Sequence, residues 1–279
     1  MVIGGLAQWS ASAKAVSEPG LQGNSEWADR YAKEHIELWD RYAARRPRSL
    51  QVHLGPSEIG VECDRQVAGK MAGLSGTNHV VDPWPSTRGT ALHSEAERVY
   101  SWSNEVDGFR WLPETRVRGF EMHPGTSDLY DGLWKVVADH KFLGQRSMDK
   151  VRSAAGPPRK YIVQMLTYGQ GFRNAGLPVD GVVLLAYPAT RASLKGDKGL
   201  FAWHRPYTPA DDALLRQVEG ELAYRRRWAL AIMSGSAELK DVPAVVDEHE
   251  CYYCPFYRPQ SAQDGGVGCP GHSPGPYRA

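Results

Sequence analysis

The chain has 279 residues, 42% hydrophobic and 23% charged, with a formal net charge of +1. That is ordinary for a globular protein with one large domain, or a domain with a smaller lobe, and it excludes a polycation that binds nucleic acid by bulk charge. No apolar run reaches the roughly 18 residues of a membrane span, and no basic leader with an apolar core opens the chain, so a cytoplasmic protein without membrane partners is expected.

Residues 1–23 are rich in Gly, Ala and Ser without a sustained period and read as a loose arm. Trp27, Tyr31, His35, Leu38 and Tyr42 recur at spacings of four and three, which predicts an amphipathic helix over 25–45. Ser25 can cap it, and Arg45-Arg46-Pro47 ends it. Ser57 is a candidate N-cap for a short helix carrying Cys63. Residues 74–86, with two prolines, read as a loop. A helix then starts between Thr87 and Thr90 and runs through Tyr100, with His93 and Glu97 on one face.

Alternation predicts strands over 114–120, 128–131 and 133–139, the last two joined by an Asp131-Gly132 hairpin turn. Residues 143–158 read as a loop, and basic side chains run from Arg146 to Lys160. A helix is predicted over 159–174, with Gln164 and Tyr168 four apart, and a buried strand over 181–187. Another strand follows over 199–205. Thr208-Pro209 with Asp211 and Asp212 is a strong helix start. That helix runs to about Met233 and carries Arg225-Arg226-Arg227. The tail, 247–279, is rich in Gly, Pro and Cys, with little apolar periodicity.

Two constellations carry chemistry. Asp128 lies in the Gly125-Thr126-Ser127-Asp128 stretch, and Asp139 ends an apolar run. Adjacent strands would bring the two carboxylates together, and Lys141, two residues on, points to the same side as Asp139. Two carboxylates, a carbonyl and waters suit Mg²⁺ or Mn²⁺, and a nearby lysine can position water or stabilise a phosphate. The second constellation is Cys251-Tyr252-Tyr253-Cys254, then Cys269 after fourteen residues, with Cys63 lying 188 positions before Cys251. Four thiolates around one centre suit an iron–sulfur cluster or zinc, and unligated buried thiols are the third reading. Nine Trp and thirteen Tyr offer stacking surfaces for bases. Arg65, Arg152, Arg159 and Arg225–Arg227 are candidate phosphate contacts.

Read in order, a helical His93, Gly125-x-x-Asp128, Asp139-x-Lys141 and Gln164-x-x-x-Tyr168 resemble the PD-(D/E)XK nuclease superfamily, in its RecB-like branch. With Cys63 upstream and Cys251, Cys254 and Cys269 downstream, the pattern is similar to the iron–sulfur members of that branch, the CRISPR-associated exonuclease type and its phage-encoded relatives. It covers roughly residues 54–272, although the last cysteine spacing is longer than is usual there.

The resemblance implies an α/β restriction-endonuclease-like core, a mixed β-sheet flanked by helices, with a helical, cysteine-bearing lobe formed by both chain ends. The expected divisions are a flexible arm (1–23), a helical lobe (24–86), the nuclease core (87–240) and a cysteine-rich segment (241–279). It further implies that His93, Asp128, Asp139 and the carbonyl of His140 hold Mn²⁺ or Mg²⁺. Lys141 is then the catalytic lysine, with Gln164 and Tyr168 beside it. Cys63, Cys251, Cys254 and Cys269 hold a [4Fe–4S] cluster, or zinc. DNA is met by Arg65, Arg152, Arg159 and Tyr168. Glu97 and Glu114 receive no assignment. The implied activity is metal-dependent hydrolysis of single-stranded DNA or DNA ends. A non-catalytic DNA-binding partner and an endonuclease on the same fold are the alternatives.

Overall fold

The computed structural model describes residues 26–45, 54–78, 82–121, 123–246, 248–259 and 268–271. The chain divides into two units, Met1–Ser49 and Leu50–Ala279. The first contains helix α1 (Glu26–Ala44), close to the expected bounds, with the Trp27 and Tyr31 rings stacked 5.1 Å apart along one face. The predicted arm and the Ser25 cap lie outside the described residues.

The second unit is built on a five-stranded mixed sheet flanked by helices. Its strands, in spatial as in chain order, are β1 (Trp111–Phe120), β2 (His123–Asp131), β3 (Val136–Leu143), β4 (Gly181–Pro188) and β5 (Phe201–Pro206). β1 to β3 form an antiparallel meander, β3 and β4 are parallel, and β4 and β5 are antiparallel. The parallel pair needs a crossover. Helices α5 (Gln145–Arg152) and α6 (Arg159–Asn174) provide it. The nearly all-apolar β4 is paired on both edges, parallel to β3 and antiparallel to β5.

Three sequence expectations are corrected here. The stretch 143–158 is not all loop, because Met148 and Val151 are buried and seat α5 on the sheet. Eight polar-rich residues are too few to show a period. Cys63 does not sit inside a helix begun at Ser57. Ser57 lies within the one-turn helix α2 (Pro56–Ile59), and Cys63 is the N-cap of a separate helix, α3 (Asp64–Met71). Helix α4 (Trp84–Asp107) starts earlier than expected. Its Pro85 falls in the first turn, where a missing N–H costs no hydrogen bond.

Helix α7 (Pro209–Met233) starts where Thr208-Pro209 places it, with the Asp211 carboxylate accepting from Thr208 N and Oγ1 at 2.9 and 2.8 Å. The turn between β2 and β3 is wider than the two-residue hairpin expected. Lys135 takes φ 51°, and the Asp131 carboxylate accepts from the Leu133 and Trp134 amides at 2.9 and 3.2 Å. The Arg110 guanidinium clamps the same carboxylate at 2.9 and 2.6 Å.

The main core joins Val117, Tyr130, Val137, Met165, Leu166, Phe172, Leu184 and Leu215. Helix α6 lies so close to β1 that a Cβ on Gly119 would meet Thr167 O at 2.1 Å. Lys141 reaches α6 through Gln164, while the next residue back, His140, places its ring near His93 and Tyr100 of α4. Successive strand residues face opposite sides. The two helices therefore cover opposite faces of β3. A short helix, α8 (Glu248–Tyr253), and residues 254–259 and 268–271 pack near α3 around the small cluster of Cys254, Phe256 and Tyr257. No helix among the described residues is long and apolar enough to cross a membrane.

Candidate metal centre

Two irregularities in the sheet converge on Asp128. The β1–β2 ladder pairs Pro113 with Leu129 and Thr115 with Ser127, and skips the position between, where Glu114 stands opposite Asp128 with φ 41°. The β2–β3 ladder stops at Leu129 and Ala138. Beyond it, the His140 amide donates to Asp128 Oδ2 at 2.7 Å, a side chain standing in for the missing strand partner. The strands part at that point and leave room among polar groups. On its other edge β3 continues paired to β4 as far as Leu143.

Helix α4 delivers His93 into this opening. Its Nδ1 lies 3.4 Å from Asp128 Oδ1 and 3.6 Å from Glu114 Oε1. One ligand atom from each of His93, Glu114 and Asp128 lies within 4.8 Å of the others. Asp139, 0% exposed, stands on the neighbouring strand, and its Oδ1 has no hydrogen-bond partner among the described residues. Lys141 Nζ lies 2.6 Å from Asp139 Oδ2 and donates to Gln164 Oε1 at 3.2 Å, and Gln164 Nε2 donates to Tyr168 Oη at 3.4 Å. The structure thus brings together His93, Asp128, Asp139, Lys141, Gln164 and Tyr168. It adds Glu114, which sequence reasoning left unassigned.

The electrostatics are those of a largely buried site crowded with carboxylates. Burial first, and then the charge of Asp139, push the Asp128 carboxyl up to about 7. Burial pulls Lys141 down, but Asp139 and Asp128 outweigh it and hold the ammonium protonated. Burial likewise pulls His93 down, and Glu114 and Asp128 more than reverse it. His140 is different. Burial, then the nearby His93 and Lys141, lower it to about 4, so its ring is neutral among Tyr100, Tyr187 and His93. A buried cluster of acids facing one point is what a divalent cation relieves. The donor set fits such an ion: carboxylate oxygens and an imidazole can hold a divalent cation.

A cavity of about 230 Å³ opens beside Lys141, lined among others by Gln164, Tyr161, Lys160, Ser57 and Tyr253. Lys160 holds Glu250 of α8 through both carboxylate oxygens at 2.7 Å. Glu250 and Gln66 also line a second pocket, which all four cysteines share. There Cys269 is fixed by backbone bonds, its N–H to Phe256 O and its carbonyl from the Arg258 N–H, each 2.7 Å. The Cys254 thiol is pushed up to about 12, by burial first and then by Cys63, Cys269 and Cys251.

The arginines expected to meet phosphate have protein partners. Arg65 donates to Val242 O, Lys240 O and Cys269 Sγ. Arg152 donates to Gly199 O, and Arg159 pairs with both oxygens of Glu221. Arg225, 2% exposed, is bonded to Asp64 Oδ1 at 2.7 Å, so it lies inside the protein and not on a solvated basic face. Tyr168 is buried.

No family model and no curated protein matches the chain. Solved structures do. An alkaline exonuclease, LHK-Exo, from Laribacter hongkongensis aligns over 66% of this chain and 91% of its own, at 16% identity and TM-score 0.46. The same enzyme in complex with dAMP aligns over the same shares at 15% identity. A phage-related exonuclease from Haemophilus somnus 129PT aligns over 62% of this chain and 82% of its own, at 14% identity and TM-score 0.40.

Proposed function

We propose that the chain is a metal-dependent DNA nuclease of the PD-(D/E)XK type, an exonuclease acting on single-stranded DNA or DNA ends. The observation that carries this reading is the convergence of His93, Glu114 and Asp128 beside the Asp139–Lys141–Gln164 chain, whose Lys141 and Gln164 line a cavity. His93, Glu114, Asp128 and Asp139 would hold Mn²⁺ or Mg²⁺, with the His140 carbonyl as a further ligand. Such an ion lowers the pKa of a bound water and neutralises charge on a phosphate.

The chain's own groups supply the remainder. Lys141, held protonated, offers a fixed cation to the phosphate oxygens as charge develops on them. Gln164 and Asp139 each accept one of the lysine's hydrogens and so aim the third. The cavity beyond Lys141 receives a nucleotide next to the cleaved bond.

The four cysteines, in this reading, hold a [4Fe–4S] cluster. The four thiols line one pocket, and zinc and iron–sulfur draw on the same donors, so metal content decides between them. Anaerobically purified protein should be brown and carry iron; colourless protein carrying zinc would overturn the iron assignment.

The nuclease reading is tested with end-labelled single-stranded, double-stranded and covalently closed circular DNA in Mn²⁺ or Mg²⁺. Wild-type protein should degrade the linear strands, and Lys141→Ala should lose activity by about 10²-fold or more. Full activity in Lys141→Ala or Asp139→Ala sinks the mechanism, and cleavage of closed circles makes the enzyme an endonuclease.

A further inference from the structure

Arg65 lies two residues after Cys63, yet every hydrogen bond recorded for its guanidinium runs to the far end of the chain. Nε donates to Val242 O at 3.0 Å, Nη2 to Lys240 O at 2.8 Å, and Nη1 to Cys269 Sγ at 3.1 Å. Its own backbone N–H donates to Pro243 O at 2.9 Å. The two carbonyl bonds fix the plane of the guanidinium, so the third donor is aimed at the sulfur rather than free to swing. Arg65 also lines the pocket that Cys63, Cys251, Cys254 and Cys269 share.

A phosphate contact needs a guanidinium that can face the ligand with its fork. Here Nε and both terminal nitrogens are engaged in one protein-made cradle. A thiolate is the anion that the cradle offers. Four thiolates gathered in one pocket concentrate negative charge, and a fixed cation donating to one of them offsets part of it. Donors and charges around cluster sulfurs set both how tightly the ligands hold and how easily the centre takes an electron.

We propose that Arg65 is a positioning residue for the cysteine cluster: it aims and charge-balances the Cys269 thiolate, and it is not a DNA contact. The inference rests on the four-cysteine cluster reading above. Cys63 caps α3, and Cys251 and Cys254 sit together at the end of α8, whereas Cys269 lies outside any helix.

The test compares wild type, Arg65→Gln and Arg65→Lys, purified anaerobically. Iron per chain, the rate of iron loss to a chelator and the midpoint potential by spectroelectrochemical titration are measured beside the salt dependence of DNA binding. Arg65→Gln should lose iron about 10-fold faster, the size of loss typical when a ligand's supporting partner is removed. Its potential should fall, because the electron added on reduction is no longer met by a cation. Arg65→Lys keeps the charge and should hold the potential nearer to wild type at equal iron content.

The slope of log affinity against log salt should match wild type in both variants. Wild-type iron retention and potential in Arg65→Gln overturn the inference. So does a salt slope lower by about 1 with an unchanged cluster, the signature of a lost phosphate contact. Equal potential shifts in Gln and Lys variants also overturn it, by reducing Arg65 to a tie between chain segments. Wild-type protein that binds no iron fells the cluster reading itself, and this inference with it; iron-loaded wild type with an indifferent Arg65→Gln fells this inference alone.

Discussion

Glu114 occupies a left-handed backbone conformation that costs a non-glycine residue on the order of 1 kcal/mol, and it does so opposite Asp128. Nothing in its local sequence announces a ligand. Asp128, Asp139 and Lys141 could be picked out because each lies in a short stretch whose spacing has chemical meaning. The relevance of Glu114 arises only from hairpin register, which sets it across from Asp128 one strand away. A strained residue kept at a cluster of acids is a trade of stability for function. Asparagine tolerates the left-handed region far better than glutamate. Glu114→Asn should therefore match or exceed wild type in thermal midpoint while its Mn²⁺ affinity, by calorimetric titration, falls at least about 10-fold. A variant both less stable and unimpaired in Mn²⁺ binding would remove Glu114 from the centre.

Among the elements, the β2–β3 turn shows how one side chain can hold a connection that turn chemistry alone does not specify. Asp131-Gly132 looks like a two-residue hairpin signal, yet the chain takes a wider path through Lys135 at φ 51°. Asp131 makes that path stable by accepting from two turn amides and from Arg110. Burial raises its carboxyl, and the Arg110 fork with the Trp134 and Leu133 amides outweighs that, leaving it below the ordinary carboxylate range. A folded-state value below the unfolded one means the charged form favours folding. The contribution is present above about pH 4, the unfolded value, and is lost as pH falls through the folded value. Asp131→Asn should cost about 1.5–3 kcal/mol in urea unfolding at neutral pH. The gap to wild type should narrow steadily below pH 4; a gap independent of pH down to 3 would show that the carboxylate's charge plays no part. Elsewhere, legibility followed length and caps. The helix over 159–174 was readable from its period and its flanking Pro and Gly. The eight residues of α5 were not, because burial of Met148 and Val151 against the sheet, not their own pattern, makes them helical.

At the scale of the whole molecule, the proposed cluster would join segments that share only a small apolar contact. The tail contributes a small cluster of Cys254, Phe256 and Tyr257, against the broad core beneath the sheet. Polar ties add to it: Arg65 to the carbonyls of Lys240 and Val242, Asn78 to those of Tyr252 and Cys254, and Lys160 to Glu250. By contrast, α2 and α3 are bound inward through Arg225, which reaches Asp64 Oδ1 and Ile59 O at 2.7 and 3.2 Å. The sequence presented Arg225 as one of three adjacent arginines, and nothing in that run tells the buried one from its neighbours. Burial of a cation is decided by the carboxylate and carbonyls that a distant segment brings to it. From this asymmetry the two ends of the cysteine lobe should respond differently to loss of the cluster. A cross-link between Cys63 and Cys269 closes a loop of about two hundred residues, where the gain from closure is greatest in principle. Oxidative bleaching and chelation of iron should therefore free the tail, while α3, anchored by Arg225, and the sheet stay folded. Limited trypsin digestion, read by mass spectrometry, should cut first at Lys240 in the iron-free protein and spare that site in the loaded one. Because Glu250 and Tyr253 also wall the cavity beside Lys141, the same treatment should raise the KM for DNA before it abolishes turnover. Unchanged cleavage sites and unchanged KM after complete iron loss would mean that packing alone seats the tail.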